Sequence, residues 1–421
     1  MKVAILLSDM TASGGAPRQA MSLAQHLDAL GHSATIYAVR YCPETCFPKL
    51  AASLDIRAVQ RISPAELARR KRRGHHHLLG GAKRHLWESR LLADLVREPH
   101  DILNPHVRGA TRAAVACKRR TGAPVVWMCD DARNWEEVGY RSHYAPPVQW
   151  AFDRVMSGLE RPVVRQIDRI VSLDHRVKRI LECHYGRPVD VIRSGLDASS
   201  FSARPEARRV IRERHGLPTG GFVLLWLGIL EPHRRIEDTI EALRLLHLHG
   251  RRNVSLLIAG TATFAPGYAR KLRDLVSRYR LDDFVRFHLA AVPEKEMSDY
   301  YSSADALVYL AENQCWGLGV FEALACSLPV IVSRSCGAHE VLEDRRTAML
   351  VAPRDAGDLA LAIEDLVEMP DLGERLVRQA RLDVLSRITW EAYAQNMLRT
   401  FENVLDEQGD HLRAARTEAF A

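Results

Sequence analysis

Four junctions in this sequence of 421 residues place glycine beside polar or charged side chains, where an apparent strand runs into an apparent helix. Such junctions bind anions and sugars in α/β proteins, because glycine lets a ligand approach the backbone and a helix N-terminus presents free N–H groups. The segments are DMTASGGAPRQAMSLAQHL (9–27), LLWLGILEPHRRIEDTIEALRLL (224–246), ENQCWGLGVFE (312–322) and GAHEVLED (337–344). Their residue types predict binding of phosphate and sugar groups.

The segment at 312–322 offers a helix N-terminus. A helix is expected to begin around Gly319, after a strand at 306–312 and a turn that contains Gly317. The backbone amides of Leu318, Gly319 and Val320 would then point out of the helix, ready for a phosphate.

Two side chains of this segment can recognise a sugar. Glu322 lies one turn into the helix, near enough to accept hydrogen bonds from ribose hydroxyls. Gln314 precedes the turn, and its amide can hold a sugar hydroxyl. Gly337 and Glu340 repeat the pattern of a small residue followed by an acid. A glutamate in a first helical turn can also serve only to compensate the helix dipole, so both roles stay open.

The two earlier segments offer a glycine pair and an arginine pair. Gly14 and Gly15 separate the first strand from a helix, although a tight turn would use glycine in the same way. Their spacing fits neither GxGxxG nor GxxxxGK[ST], which argues against a nicotinamide or P-loop site. Gly228 ends a later strand, and Arg234 and Arg235 follow it, able to pair with a diphosphate or to lie exposed without a ligand.

Short β-branched runs alternate with longer helical stretches along almost the whole chain. Near-continuous apolar strands of this length indicate burial on both faces, as in parallel sheets covered by helices. Strands are expected at 2–9, 33–39, 101–106, 124–129, 169–174 and 189–193, then at 221–228, 254–260, 285–290, 306–312, 329–334 and 347–352. The predicted fold class is α/β, with two doubly wound, Rossmann-like domains.

The strand series restarts near residue 220, after a polar stretch that contains one short helix and the breaker Pro218-Thr-Gly-Gly. We therefore expect an N-terminal domain over 1–200 and a C-terminal domain over 201–388. Within 389–421 we expect a last helix, to about residue 408, that crosses back to the first domain, and then a polar tail. The two domains are expected to face each other across a cleft at the carboxyl ends of their strands, where hinge closure would exclude water.

The composition is that of an ordinary globular protein, with 47% hydrophobic and 26% charged residues. No apolar run approaches the roughly 20 residues that span a bilayer. The short run after Lys2 is expected to be a buried strand rather than a signal peptide. The eight cysteines include no CxxC pair, which predicts reduced thiols in a cytoplasmic protein without a disulfide framework or a zinc site.

The formal net charge is +7, and much of the excess lies in ARRKRRGHHHLLGGAKRH, residues 68–85. This segment can be a solvated helix and loop, or it can contact anionic lipid headgroups or a diphosphate-bearing acceptor. The membrane interpretation predicts a protein peripheral to the inner face of the membrane. No helix-turn-helix, zinc or RNA-binding signature accompanies the segment, so nucleic acid is not expected as a partner.

Four segments in this order resemble those of the family 4 retaining glycosyltransferases, which have the GT-B fold. SGGAPRQAMSLAQHL (13–27) is similar to the family's GGAER opening, VIRSGLDASSF (191–201) to its IPNGVD linker signature, WGLGVFEALACSLPVIVS (316–333) to its donor-site segment, and GAHEVLED to its GGxxE region. The resemblance covers nearly the whole chain. PVVWMCDDARNWEE (124–137) is similar, more weakly, to members that act on lipid-linked oligosaccharides or surface polysaccharides.

The resemblance implies transfer of a sugar from a GDP- or UDP-linked donor to a hydroxyl of a glycan or lipid-linked glycan. It implies retained anomeric configuration and no need for a metal or other cofactor. Gly15 would face the diphosphate, Arg234 would neutralise it, and Glu322 would bind the ribose. Further donor contacts are expected at Gly14, Gly228, Arg235, Gly317, Leu318 and Gly319. In the family's proposed front-side mechanism, the departing phosphate oxygen takes the acceptor's proton, so no acid and base pair is required.

Three positions depart from the family's pattern. Gln314 stands where the two-glutamate motif has its first acid, Ile229 where a basic diphosphate residue is found, and Asp130 where a histidine is often found. We predict Asp130, Arg234 and Gln314 as catalytic residues. The alternatives are a catalytically silent sugar-nucleotide-binding protein, which Gln314 and Ile229 suggest, and a non-hydrolysing nucleotide-sugar epimerase of the same fold.

Overall fold

The chain folds into two compact units, each with its own parallel sheet. The computed structural model describes residues 1–72, 78–130, 146–262, 265–312 and 315–419. Unit 1 comprises Met1–Gly195 and Trp390–Ala421, and unit 2 comprises Leu196–Thr389. The first unit is therefore built from both ends of the chain.

Unit 1 is a sheet of parallel strands covered by helices. Its strands are β1 (Lys2–Met10), β2 (Ser33–Tyr41), β3 (Asp55–Arg61), β4 (Ile102–Pro105), β5 (Val126–Cys129), β6 (Arg169–Ser172) and β7 (Val189–Val191). Its helices are α1 (Gly15–Ala29), α2 (Pro48–Ala51), α3 (Pro64–Arg72), α4 (Leu78–Leu95), α5 (Thr111–Thr121), α6 (Pro146–Val164), α7 (His175–Tyr185) and, at the end of the chain, α15 (Trp390–Ala419). The strands pair in the orders β3-β2-β1-β4 and β5-β6-β7, and bridges from Leu103 to Val125 and from His106 to Met128 link the two sets.

This strand order divides the helices of unit 1 into two layers. The crossovers from β3 to β4 and onward to β7 all run in one direction across the sheet, and right-handed crossovers therefore put α4, α5, α6 and α7 on one face. The connections from β1 to β2 and from β2 to β3 run the other way, so α1 lies on the opposite face. Contacts of α4 with α5, of α5 with α6, and of α1 with α15 agree with this division.

The strand β3 is absent from the strands predicted from the sequence. Its residues, DIRAVQR, alternate charged and apolar side chains, and Ile56 is its one buried residue. As the edge strand of the sheet, β3 pairs on one side only, with β2. A short, polar edge strand has the composition of a loop, which is why an apolar run does not mark it.

Unit 2 is a doubly wound domain. Its strands are β8 (Phe222–Leu227), β9 (Val254–Ala259), β10 (Val285–His288), β11 (Ala306–Tyr309), β12 (Val330–Ser333) and β13 (Met349–Val351). Its helices are α8 (Pro205–Arg214), α9 (Ile236–Leu248), α10 (Pro266–Arg278), α11 (Glu294–Ser303), α12 (Leu318–Ala325), α13 (Ala356–Glu368) and α14 (Pro370–Ala380). All strand pairs are parallel, in the order β10-β9-β8-β11-β12-β13. The chain reverses its direction across the sheet between β8 and β11, and ligands of such folds bind at that point.

The inner strands of unit 2 are buried on both faces, as their near-continuous apolar runs predict. Every residue of β9, β11 and β12 is buried. The helices α9, α10, α13 and α14 pack their apolar faces against these strands to form one core. This burial makes the sheet a rigid support for the loops that follow each strand.

A buried arginine joins the amino ends of β8 and β11. Arg212 on α8 is 1% exposed, and its guanidinium donates to the carbonyl of Ser303 at 2.8 Å and pairs with Asp305 at 2.6 Å. The carboxylate of Asp305 also accepts from the N–H of Val223 at 2.7 Å and pairs with Arg208 at 2.6 Å. These contacts tie α8 to the two central strands.

The last helix continues past its predicted end. The sequence predicts a helix to about residue 408 and then a polar tail, whereas α15 runs to Ala419, so the predicted end of the helix is wrong. Gly409 lies inside α15. Glycine costs about 1 kcal/mol relative to alanine in a helix interior, which is too little to end a long helix. Within the described ranges, every helix is too short or too polar to span a bilayer.

Candidate functional site

The carboxyl edge of the unit 2 sheet gathers three of the four glycine junctions. The strands β8, β11 and β12 are adjacent in the sheet. Gly228 follows β8, Gly317 lies between β11 and α12, and Gly337 follows β12. Because parallel strands end at one edge, segments far apart in sequence meet at the reversal point between β8 and β11.

Two glycines let the loops after β8 and β9 pass each other closely. Gly228 has a φ of +152° and Gly260 a φ of +140°. A Cβ added to Gly260 would lie 1.7 Å from the carbonyl oxygen of Gly228, so no other residue fits at position 260. The backbone after β8 therefore lies directly against the backbone after β9.

The turn before α12 also requires glycine. Gly317 has a φ of +73°, and the preceding Trp316 has a φ of +31°. A Cβ on Gly317 would lie 3.0 Å from the ring of Tyr309 and 3.1 Å from Sγ of Cys336. The left-handed backbone and the lack of space together fix this residue type.

The first turn of α12 presents backbone donors. Leu318 and Gly319 are the first two residues of the helix and are half-buried. A helix supplies no acceptor for the N–H groups of its first residues, so these two amides can serve a ligand. The amide of Val320, which the sequence also offered for phosphate, donates to the carbonyl of Gly317 at 3.0 Å.

Glu322 is buried on α12 beside a tyrosine. The hydroxyl of Tyr301 donates to its Oε2 at 2.8 Å. Burial and the neighbouring carboxylate both raise the pKa of Tyr301 well above its ordinary value, so this phenol stays a donor at neutral pH. The contact helps to fix the orientation of the Glu322 carboxylate.

Arg234 reaches the same turn from the β8 side. It ends the short 3-10 helix Pro232–Arg234, and its Nη1 donates to the hydroxyl of Tyr309 at 2.8 Å. The ring of Tyr309 thus lies between Arg234 and Gly317. The Nε of Arg234 is buried and has no hydrogen-bond partner among the described residues. A donor left in this state marks a place where an anion can bind.

Arg235, the second arginine, is placed differently. It has a φ of +54° and pairs with Asp238 at 2.7 Å and with Glu237 at 2.9 Å. Both acids lie in the first turn of α9. The charge of Arg235 is therefore already balanced by these acids. Position 229, where the resemblance implies another cation, is occupied by Ile229, which is apolar and 39% exposed. Arg234 is therefore the cation that the loop after β8 offers to a ligand.

His233 connects the loops after β8 and β11. Its carbonyl accepts from the N–H of Glu312 at 2.7 Å, and the carboxylate of Glu312 pairs with Arg354. Burial, followed by the charge of Arg234, lowers the pKa of His233 to about 4. The imidazole is therefore neutral at pH 7 and adds no positive charge to the site.

The fourth segment follows β12 as a short 3-10 helix. Gly337 and Glu340 belong to Gly337–Val341, and Glu340 lies in its first turn. Gly337 is buried. This helix lies beside the turn at Gly317, since Sγ of Cys336 is close to both.

The glycine pair of unit 1 is open to solvent. Gly14 has an extended backbone and caps α1, and both Gly14 and Gly15 are exposed. A Cβ added to Gly15 would meet nothing within 4 Å. The fold itself does not demand glycine at this position, which leaves room for a ligand at the start of α1.

Asp130 follows β5 of unit 1, beside the last helix. Tyr393 on α15 is fully buried, and its pKa is raised well above the ordinary value by burial and by the nearby Asp130 carboxylate. The C-terminal helix therefore lies close to the end of β5.

His106, at the end of β4, is a buried residue that the sequence did not single out. Its Nε2 lies 2.9 Å from Oδ1 of Asn104. Burial lowers its pKa to about 3, so the ring is neutral.

Two predictions fall outside the described residues. Gln314 is one of them. Part of the basic segment 68–85 is the other, since residues 73–77 are not described. In the described parts of the chain, no group of three or more His, Cys, Asp and Glu side chains is placed to hold a metal ion.

Tyr301, Tyr309 and Gly260 are site residues that sequence reasoning did not identify. Gly260 carries a weak signal, since it ends the strand predicted at 254–260, whereas Tyr309 lies inside the strand predicted at 306–312. Tyr301 has none, because it lies on α11, the helix that leads into β11. Only the packing of that helix against α12 brings its hydroxyl to Glu322.

Two family patterns match the chain, one in each half. The family described as Glycosyl transferases group 1 matches residues 207–383. The family described as Glycosyltransferase Family 4 matches residues 13–200.

Two relatives are similar in sequence to most of this chain. D-inositol 3-phosphate glycosyltransferase 2 of Catenulispora acidiphila is 29% identical over 268 residues, which are 61% of this chain and 60% of that protein. D-inositol 3-phosphate glycosyltransferase of Saccharomonospora viridis is 25% identical over 338 residues, which are 78% of this chain and 75% of that protein. The chain thus spans about 60% of the length of the first relative.

Solved structures share the fold. Anabaena Alr3699/HepE, solved with UDP and glucose, has a TM-score of 0.72 at 17% identity, over 96% of this chain and 100% of that chain. Sucrose-phosphate synthase from Thermosynechococcus elongatus has a TM-score of 0.74 at 17% identity, over 96% of this chain and 99% of that chain.

Proposed function

The chain belongs to the glycosyltransferases of group 1 and family 4 and has their GT-B fold, and on that basis we propose that it transfers a sugar from a nucleotide diphosphate sugar to an acceptor hydroxyl, with retention of anomeric configuration. The observation that carries this proposal is the half-buried Arg234, whose Nε has no hydrogen-bond partner in the described part of the chain. This arginine lies at the reversal point of a doubly wound sheet, beside the helix N-terminus at Leu318 and Gly319. A diphosphate supplies the anionic oxygens that these donors lack.

The donor is UDP- or GDP-linked in this proposal. A structural neighbour, Anabaena Alr3699/HepE, was solved with UDP-glucose, which supports a uridine nucleotide. Glu322 would accept hydrogen bonds from the ribose hydroxyls, with Tyr301 holding its carboxylate in place. Gly14, Gly15 and Gly228 remain predicted donor contacts, where the absence of a side chain gives the ligand room.

The reaction we propose is a front-side displacement. The bond between the anomeric carbon and the diphosphate oxygen breaks, and the acceptor oxygen forms a new bond to that carbon on the same face. The proton of the acceptor hydroxyl passes to the departing phosphate oxygen. Negative charge grows on the leaving diphosphate, so Arg234 and the amides of Leu318 and Gly319 stabilise the transition state more than the ground state. Gln314 and Asp130 remain the other predicted catalytic positions.

The acceptor we propose is a glycan or lipid-linked glycan of surface polysaccharide or glycolipid biosynthesis. The relatives named as D-inositol 3-phosphate glycosyltransferases act on a phosphorylated acceptor, which is compatible with the net charge of +7. Contact of the basic segment 68–85 with the inner face of a membrane would bring the enzyme to such an acceptor.

A panel of nucleotide sugars tests this function. The full-length protein is incubated with each UDP- and GDP-sugar and a lipid extract, and release of the nucleoside diphosphate is followed. We expect release with one donor and much less without acceptor. Tight binding of a donor with no turnover under any condition would favour the catalytically silent alternative, which the apolar Ile229 also favours. Conversion of a nucleotide sugar into its epimer would favour the epimerase.

A further inference from the structure

The helices α4 and α6 of unit 1 expose large apolar side chains. Leu86 and Trp87 on α4 are each 53% exposed, and Trp150, Val155 and Leu159 on α6 are 65%, 60% and 48% exposed. These five are among the twelve exposed large apolar residues in the described part of the chain. The two helices lie in the same layer, on either side of α5.

The same layer is strongly basic. The helices α4 to α7, which we call the basic layer, contain twelve Lys and Arg residues and five Asp and Glu residues, a net charge of +7. The opposite face of the sheet carries α1 and α15, which contain four Lys and Arg residues and seven Asp and Glu residues. The helices on the two faces of the sheet therefore differ in their net charge, and the basic layer is the one that exposes tryptophan.

A groove between α6 and α7 combines both properties. Its volume is about 440 Å³, and its lining includes Trp150, Arg154, Asp153 and Arg161. The guanidinium of Arg154 lies 5.3 Å from the centre of the Trp150 ring. Nη2 of Arg161 donates to the carbonyl of His184 at 3.2 Å, which holds its head at the rim of the groove.

We propose that the basic layer docks onto an anionic membrane surface. Tryptophan is favoured at the boundary between headgroups and acyl chains, because its ring is apolar and its N–H remains hydrated. Arginine stems can cover apolar surface while their heads pair with lipid phosphates. A second copy of the same face would bring two positive surfaces together, whereas anionic lipids complement the charge.

The purpose of this contact rests on the proposed function, because a lipid-linked acceptor gives the enzyme a reason to reach the membrane. The binding itself is independent of sugar transfer. It also reaches beyond the segment 68–85, since α6 and α7 follow that segment in sequence by many residues.

Sedimentation of the full-length protein with vesicles tests the proposal. We expect binding to phosphatidylcholine vesicles that contain phosphatidylglycerol, weak binding without it, and loss of binding at high salt. The double variant Arg154→Gln and Arg161→Gln should bind about 25-fold more weakly, at roughly fivefold per arginine. The double variant Trp87→Ser and Trp150→Ser should lose on the order of tenfold. The matched control is Leu248→Ser with Leu361→Ser, two comparably exposed residues of unit 2, which should bind like the native protein.

Several outcomes would overturn the proposal. Unchanged vesicle binding of either double variant would do so, as would an equal loss in the unit 2 control. Binding that disappears when only the basic residues of 68–73 are neutralised, and is unaffected by the tryptophan variant, would assign the contact to that segment instead. A dimer in sedimentation equilibrium that the tryptophan variant dissociates, without any effect on vesicles, would make this face a contact between copies.

The failure of this inference is distinguishable from the failure of the proposed function. Vesicle binding with no turnover in the donor panel would remove the glycosyltransferase activity and leave the surface. A different result would keep the activity and exclude the membrane surface. In that case the protein turns over a water-soluble acceptor, and the arginine and tryptophan variants have normal turnover and normal vesicle binding.

Discussion

The two ends of the strands β8 and β11 use arginine in different ways. At the amino end, Arg212 donates to the carbonyl of Ser303 and to carbonyls of the loop 218–221, and it pairs with Asp305. At the carboxyl end, Arg234 makes one side-chain hydrogen bond, to Tyr309, and keeps a buried Nε without a partner among the described residues.

This difference separates a structural arginine from a binding arginine. A buried donor without an acceptor costs about 1–3 kcal/mol, so most buried donors are paired, as in Arg212. The cost is acceptable where a ligand supplies the missing acceptor. The contrast therefore predicts that Arg212 acts on stability and Arg234 on catalysis.

The largest effect is expected from Arg212→Gln. Removing the guanidinium leaves Asp305 partly buried with fewer partners, and breaking such a pair costs about 3–5 kcal/mol. Urea unfolding of the variant should show this loss in the free energy of unfolding. Arg209→Gln is the control on the same helix, since its side chain is 74% exposed, and it should change stability by less than about 0.5 kcal/mol. Equal stabilities for the two variants would remove the contrast.

The next effect is expected from Arg234→Gln. Loss of charge stabilisation at the leaving diphosphate should lower kcat by about 10²- to 10³-fold, while the free energy of unfolding stays within about 1 kcal/mol of the native value. Steady-state kinetics and urea unfolding measure both. Arg235→Gln should lower kcat by less than about tenfold, because that arginine is already paired with acids. A larger loss for Arg235→Gln than for Arg234→Gln would reverse the assignment of the two residues.

A smaller effect is expected from Glu322→Gln. Hydrogen bonds to a charged group contribute about 1.5–3 kcal/mol, so the Kd for the donor should rise about 10- to 100-fold in calorimetric titration. Tyr301→Phe removes only the group that orients the carboxylate and should raise the Kd by a smaller factor. Donor affinity that does not change in Glu322→Gln would contradict the ribose-binding role.

The smallest effect concerns the protonation of His233. Its pKa is about 4, lowered by burial and then by Arg234. The unfolded chain binds this proton below about pH 6.5 while the folded chain does not, so His233 makes stability fall as pH falls from 6.5 to 4. NMR titration of the imidazole should show the pKa rise when a nucleoside diphosphate binds and also in Arg234→Gln. A pKa that responds to neither would place His233 away from the ligand.

The fold class was predictable because burial on both faces leaves a plain trace in the sequence. The prediction of an α/β fold with parallel sheets is confirmed, and twelve apolar runs correspond to twelve of the strands. The strand β3 was not predicted, because an edge strand buries only part of its surface and therefore lacks a continuous apolar run. The predicted end of α15 was wrong, because one glycine and a polar composition are not enough to end a long helix.

The candidate site was predictable in its residue types and less so in its contacts. Glycine at 317 follows from the sequence pattern, and the structure adds the reason. The residue has a positive φ, and a Cβ at this position would lie 3.0 Å from the ring of Tyr309. The residues alone did not separate Arg234 from Arg235, and only the family resemblance singled out Arg234 as catalytic. Their different partners arise from acids on α9 and a tyrosine on β11, which sequence spacing does not relate to them.

The sequence by itself determined which residues could bind a diphosphate and a sugar, because glycine, arginine and glutamate at strand ends carry that chemistry wherever they occur. The tertiary structure decided which of them act together. Adjacent parallel strands end at the same edge, so β8, β11 and β12 bring Gly228, Arg234, Gly317 and Gly337 to one place. Helix packing then brings Tyr301 to Glu322, a contact between residues 21 positions apart. Such contacts depend on the three-dimensional path of the chain, and no local pattern records it.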